Sequence, residues 1–240
     1  MSEVTIDFAW GSAGLRDRLP VSDLIVIVDA LSFSTAVDVA VSRGAEVIPY
    51  RYRDDTAAAF AAEHEARLAG PRRAGGPSLS PPSLDQLAAG DRLVLPSPNG
   101  ATLSTLVDGK PAYAACLRNA TAVVAALQAG AAKREQTRIA VIAAGEHWPD
   151  GSLRPALEDL LGAGAVLARL KGRLSPDAKA AAAAYRELRG DLADALALCP
   201  SGQELIAAGY PDDVAWATAE DSSTAVPLLR EGRYSDASGI

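Results

Sequence analysis

Residues 24–28, Leu-Ile-Val-Ile-Val, are apolar without a break and are closed by Asp29. A short continuous run of this kind reads as a strand covered on both faces, as in the centre of a parallel sheet. Residues 92–95 and 138–144 repeat the pattern after an opening arginine, and 45–50 and 112–116 read as further strands. Residues 4–10 alternate instead, which predicts a half-buried strand. Helical spacing fills the intervals. The pattern predicts helices over 35–42 with Gly44 as the stop, over 54–69 between an Asp54 cap and Gly70, from about 101, from about 121 to Gly130, over 176–198 and over 201–209. Leu157, Leu160, Leu161, Gly164 and Leu167 recur at helical spacing, with Ser152 as a cap and Pro155 in the first turn. Residues 213–217 read as a small strand, and 225–229 as a return to the sheet. Residues 71–82, rich in Gly, Pro and Ser, must be loop, either a lid or an irregular connection.

Strands alternating with helices predict a three-layer α/β/α fold with a mainly parallel or mixed sheet. The whole of 1–240 is assigned to one α/β domain, or to two closely packed lobes. In such a sheet, ligands bind beyond the carboxyl ends of the strands. Four strand ends carry unusual polar residues: Asp29 with Ser32, Ser34 and Thr35; Ser97 with Asn99; Arg118 with Asn119; and Glu146. Each lies just before a helix start, where free backbone N–H groups favour anions. Each also has a plainer reading. Ser34 and Thr35 can be helix caps, Asn99-Gly100 an ordinary turn pair, and Arg118 a surface charge. Glu158 and Asp159 begin a helix that carries no charge from Leu160 to Ala168. Such a helix is buried, and buried carboxylates need a partner, a metal or a proton. The structural alternative pairs them with Arg154. Cys116 reads as a buried small side chain with no histidine beside it in sequence.

Composition narrows the partners. With 240 residues, 49% of them hydrophobic, the chain can bury a large core. A formal net charge of −7 and a pI near 4.9 argue against nucleic acid, which selects a basic face. The two cysteines, Cys116 and Cys199, form no zinc-knuckle spacing. No stretch reaches the ~18 apolar residues of a membrane span, and the first residues lack the pattern of a signal peptide. The expectation is a cytoplasmic protein with no membrane partner.

The polar clusters, taken together and in order, resemble those of the 2-phosphosulfolactate phosphatases, the ComB-like proteins of coenzyme M biosynthesis. The similarity runs nearly end to end. It includes Val28-Asp29-Ala30-Leu31-Ser32-Phe33-Ser34-Thr35, Ser97-Pro98-Asn99-Gly100, Cys116-Leu117-Arg118-Asn119-Ala120 and Ala144-Gly145-Glu146. It continues through Leu157-Glu158-Asp159-Leu160, Gly162-Ala163-Gly164, Ser201-Gly202-Gln203-Glu204-Leu205, Asp213-Val214 and Val226-Pro227. The resemblance implies a Mg²⁺-dependent phosphatase that releases 3-sulfolactate and phosphate from (2R)-2-phospho-3-sulfolactate, and a homo-oligomer. One departure stands out: Ser32 occupies a position where many relatives carry arginine, so Arg118 or Arg154 would have to supply that cation. Alternatives are a phosphatase for another small phosphorylated acid and a non-catalytic anion-binding regulator of the same fold.

Phosphate-ester hydrolysis needs charge neutralisation, an in-line nucleophile and a protonated leaving group. The expected roles follow. Asp29, Glu158 and Asp159 hold Mg²⁺. Glu146 orients the attacking water, and Asp29 is either a ligand or a nucleophile. Ser34, Thr35, Asn99, Gly100 and Asn119 bind phosphate oxygens. Arg118 and Arg154 neutralise the small anionic substrate.

Overall fold

The computed structural model describes residues 3–52 and 54–238. Its strands are β1 (Glu3–Trp10), β2 (Leu24–Val28), β3 (Glu46–Tyr50), β4 (Arg67–Leu68), β5 (Arg92–Pro96), β6 (Ala112–Ala114), β7 (Gln136–Ala143), β8 (Glu146–His147), β9 (Leu153–Arg154), β10 (Arg173–Leu174), β11 (Pro227–Arg230) and β12 (Arg233–Asp236). Its helices are α1 (Gly11–Arg18), α2 (Phe33–Ser42), α3 (Thr56–Glu63), α4 (Gly100–Leu106), α5 (Ala120–Ala132), α6 (Leu157–Arg169), α7 (Pro176–Leu188), α8 (Leu192–Leu198), α9 (Pro200–Ala207) and α10 (Pro211–Ala217).

Ten strands form one mixed sheet in the order β10-β1-β7-β2-β6-β11-β12-β3-β5-β4. The five from β10 to β6 are parallel, and so are β3, β5 and β4. The β11–β12 hairpin joins the two blocks through antiparallel pairings on both sides. Followed across the hairpin, these pairings make the second block run opposite to the first. The exits of β2, β6 and β7 therefore share one edge, with Ile27 opposite Ala114 and Val28 opposite Ala143. β5 belongs to the reversed block, and its exit reaches that edge only through the start of α4.

The continuous apolar strands serve two layers. Leu24, Val26 and Val28 pack with Val123, Leu127, Leu161 and Tyr185 of α5, α6 and α7. Ile25 and Ile27 point the other way, into Leu15, Phe33, Val37 and Leu103 of α1, α2 and α4. The two-residue period of a strand places alternate side chains on opposite faces. That is why a strand between two helical layers has no polar side. α2 is itself buried from Phe33 to Val41. The architecture is three-layered, α/β/α.

Several elements differ from the sequence reading. Residues 213–217 are part of α10, because Pro211 suits a first helical turn and Asp212 and Asp213 favour its positive end. α3 stops at Glu63 and the chain turns at Glu65, which adopts φ 49°, so Arg67 and Leu68 join the sheet as β4. The helix expected over 176–198 is broken into α7 and α8 by a 3₁₀ turn at Arg189–Asp191. α6 starts at Leu157. Ser152 and Arg154 belong to the β8–β9 hairpin instead, with Glu146 opposite Arg154. β12 is polar apart from Tyr234, so its pattern carries no strand signal.

α6 and α7 approach closely at Gly164. A Cβ built there would lie 2.4 Å from the Ala181 carbonyl oxygen and 2.7 Å from Tyr185 Cβ. Gly164→Ala should destabilise the protein by about 2 kcal/mol or more through overpacking. Thermal unfolding should show this as a Tm lower by about 4–8 °C; an unchanged Tm would mean the two helices separate freely.

Candidate active site

The shared edge of β2, β6 and β7 gathers buried acids. Asp29 leaves β2 and is buried. Its Oδ2 accepts the Gly100 N–H at 2.7 Å, and its Oδ1 accepts the Phe33 N–H at 3.3 Å. Gly100 opens α4 beneath the Phe33 ring. A Cβ there would lie 2.3 Å from Phe33 Cδ1 and 2.8 Å from Asp29 Oδ2. Only glycine lets this amide reach the carboxylate. Asp159, in the first turn of α6, accepts the Ala30 N–H on Oδ1 and the Gly145 N–H on Oδ2, both at 2.7 Å. It ties the exit of β2 to the exit of β7. Glu158 is buried beside it, and its Oε2 has no hydrogen-bond partner among the described residues. Glu146, half-buried, follows β7 and faces the Asn99 side-chain amide. Asn99 Oδ1 is buried and unpartnered.

These acids repel one another. Burial pushes Asp29 up to about 7, Glu146 and Glu158 add to the shift, and the Gly100 and Phe33 amides oppose it. Burial, then Asp29 and Glu158, hold Asp159 well above the usual carboxylate range against its two amides. Burial also raises Glu146, with Glu158 adding to it, while Asn99 and Arg154 pull it back. Among the described residues Arg154 is the one cation that acts on a shifted member, Glu146. The cluster's hard oxygen donors, with one buried oxygen unpartnered, suit a divalent cation such as Mg²⁺, which needs only one or two carboxylates and keeps several waters.

The three acids expected to ligate together do not converge. Among the described residues no group of three or more His, Cys, Asp or Glu side chains is placed to hold a metal ion. Asp159 is directed at two backbone amides on different segments and acts as a brace. Glu158 keeps the free oxygen. The expected anion-binding hydroxyls are also engaged elsewhere. Ser34 Oγ accepts the Asp29 N–H and donates to Ile27 O, and Thr35 Oγ1 donates to Ala30 O. Both are fully buried staples of the turn that carries Asp29. Asn119 accepts the Cys116 N–H and donates to Ala114 O, so it closes its own turn. Cys116 is buried and its thiol is pushed up to about 12, which leaves no thiolate.

Arg118 is the clearest displacement from expectation. Its Nε donates to Asp38 Oδ2 at 2.9 Å, and its guanidinium lies over Trp216. Asp38 on α2 is fully buried, and a buried carboxylate draws the nearest cation away from the sheet edge. Arg154 stays in the neighbourhood, 14% exposed, with Nη2 3.5 Å from Ser201 Oγ and its charge acting on Glu146. The cation beside Ser32 is one the sequence did not single out. Arg72 Nη2 donates to Ser32 Oγ at 3.2 Å and its Nε to Asp213 Oδ2 at 2.8 Å. The only sequence signal was its place in a Gly/Pro-rich loop.

A family model described as 2-phosphosulpholactate phosphatase matches residues 14–232. The chain is 30% identical over 216 residues to a 2-phosphosulfolactate phosphatase of Methanothermobacter thermautotrophicus, covering 88% of this chain and 89% of that protein. It is 27% identical over 224 residues to a probable 2-phosphosulfolactate phosphatase of Pseudothermotoga lettingae, covering 90% and 94%. A probable 2-phosphosulfolactate phosphatase of Gloeobacter violaceus is 30% identical over 216 residues, covering 85% and 87%.

Two measurements test these electrostatics. Arg118→Ala leaves Asp38 buried and unpaired, so it should lower unfolding free energy by about 3–5 kcal/mol in denaturant titration. Replacing both partners, as Arg118→Met with Asp38→Leu, should recover most of that loss. The second measurement is pH dependence in divalent-free buffer. Asp29 is raised to about 7 from 3.8, so between those values the folded state holds more proton than the unfolded one. Its contribution to stability is thus greatest below about pH 4 and falls as pH rises towards 7. The stability of Asp29→Asn relative to the unsubstituted protein should climb across that window. A constant difference would place Asp29 in a solvated, unstrained setting.

Proposed function

Since the chain belongs to the 2-phosphosulpholactate phosphatase family, we propose that it hydrolyses the phosphate ester of (2R)-2-phospho-3-sulfolactate to 3-sulfolactate and phosphate, with Mg²⁺ as cofactor. The observation that carries this reading is the mutually repelling cluster of Asp29, Glu146 and Glu158 at one sheet edge. Three mutually repelling acids, with Arg154 acting on Glu146 alone, are not explained by structural pairing. They fit a site that works on an anion through a bound divalent cation. Asp29 and Glu158 would hold it, and when bound it supplies charge neutralisation at the phosphoryl oxygens.

The chain's own residues account for the rest. Asp29 is held still by the Gly100 and Phe33 amides. Asp159 keeps the β2 and β7 exits together, so Asp29 and Glu146 keep their separation. In hydrolysis a water oxygen bonds to phosphorus, the ester P–O bond breaks, and the proton that leaves the water is passed on to the departing alkoxide oxygen, giving the free hydroxy acid. Glu146 is half-buried, steadied by Asn99 and raised towards neutrality, which suits it to take that proton. Arg154, beside Glu146, offsets negative charge on the bound ester. The chain's net charge of −7 supports a small anion bound at one local site over nucleic acid. Among the described residues no helix is long and apolar enough to cross a membrane.

The test is phosphate release from a panel of phosphorylated hydroxy acids, with and without Mg²⁺. The expected result is Mg²⁺-stimulated release, fastest with 2-phospho-3-sulfolactate. Faster release from another ester would replace the substrate and keep the chemistry. Glu146→Gln should lower kcat by about 10²-fold, the range for a lost general base. Asp29→Asn should abolish both the activity and the rise in Tm that Mg²⁺ gives the native protein. A fully active Asp29→Asn that still responds to Mg²⁺ would reject the site.

A further inference from the structure

Arg72 is held in a way that a surface ion pair does not require. Its Nε donates to Asp213, whose side chain is 1% exposed, and its Nη2 donates to Ser32 Oγ. Asp213 takes a second donor, the Ser80 hydroxyl, from the far end of the same loop. One buried carboxylate on α10 therefore fixes both ends of residues 72–80 and the orientation of the guanidinium. Nη1 has no hydrogen-bond partner among the described residues. The Arg72 side chain is 21% exposed and lines a cavity of about 750 Å³ together with Arg73, Leu79, Pro96 and Tyr210. Asp54 and Asp55 stand on its solvent-exposed rim.

Two segments link the residues around the cavity to the acid cluster. Ser32 is followed by Phe33, whose amide binds Asp29. Pro96 ends β5, and the chain runs from there to Asn99 and Gly100, which face Glu146 and Asp29. A guanidinium seated on Ser32 thus lies one residue along the chain from the amide that holds Asp29.

We propose that Arg72 is a specificity-determining residue that binds the sulfonate of the substrate, one of its two anionic groups that are not hydrolysed, and that Asp213 is its positioning residue. This rests on the phosphatase reading above. A sulfonate is ionised at every working pH and would be repelled by Asp29, Glu146 and Glu158. It needs a cation on the side away from them. Arg118 is engaged by Asp38, and Arg154 sits beside Glu146. Arg72 keeps a free edge of its planar fork, which suits the oxygens of a sulfonate.

The experiment compares two esters, 2-phospho-3-sulfolactate and 2-phospholactate, which carries a hydrogen in place of the sulfonate. In the unsubstituted protein the sulfonated ester should be preferred by at least tenfold in kcat/KM. Arg72→Gln should reduce that preference at least tenfold, with the loss in KM for the sulfonated ester. Arg72→Lys, which keeps charge but not the fork, should restore part of it. Asp213→Asn should move KM the same way by a smaller factor. If Arg72→Gln does not fold, Arg72→Lys alone carries the comparison and should fall between full preference and none. An unchanged preference in the Arg72 variants, or equal loss on both esters, overturns the assignment. So does an unsubstituted protein that hydrolyses both esters equally well, although that result leaves the phosphatase reading standing. Hydrolysis of neither ester overturns both.

Discussion

Two backbone N–H groups, those of Ala30 and Gly145, leave adjacent parallel strands at the point where the ladder ends. Both are buried, and neither can turn to water. The Asp159 carboxylate satisfies both at 2.7 Å from the first turn of α6. Buried amides left unpaired would each cost about 1–3 kcal/mol. The exits of β2 and β7 and the start of α6 therefore move as one body. Asp29 sits one residue before the first of these amides, and Glu146 one residue after the second. Their separation is a consequence of that brace.

The brace carries a charge problem with it. Asp159, Asp29, Glu158 and Glu146 are close enough for each to influence another, and burial penalises all the shifted members. Backbone amides offset part of this, and the positive end of α6 favours its first-turn acids. The remainder is stored at the site. A fold that kept these acids for stability alone would have paired them, as Asp38 is paired with Arg118. That contrast separates the acid cluster from a framework ion pair.

The reversed block of β3, β5 and β4 gives the site its second wall. A purely parallel sheet would have brought the β5 exit to the common edge as one more loop. Here the chain instead enters α4 under Phe33, and Gly100 presents its amide to Asp29. Tyr234 of β12, between the blocks, packs edge-on to Phe33 and shares a hydrogen bond with Ser104 of α4. The hairpin that reverses the sheet thereby also fixes the helix that supports the carboxylate.

The strands of the core were legible in the chain because burial on both faces writes itself locally, as unbroken apolar runs at 24–28, 93–95 and 139–143. The acids were legible for a related reason: Glu158 and Asp159 stand at the head of a helix with no other charge for nine residues, and Asp29 closes an apolar strand. What could not be read was how charges choose partners. Arg118 meets Asp38 across 80 positions, Ala30 meets Asp159 across 129, and Arg72 meets Asp213 across 141. Periodicity reports which face of one element is buried. It carries no information about which distant element lies against that face, or which of two adjacent carboxylates meets an amide there. The reversal of the β3 block, the brace at Asp159 and the seating of Arg72 on Ser32 were decided by that long-range packing alone.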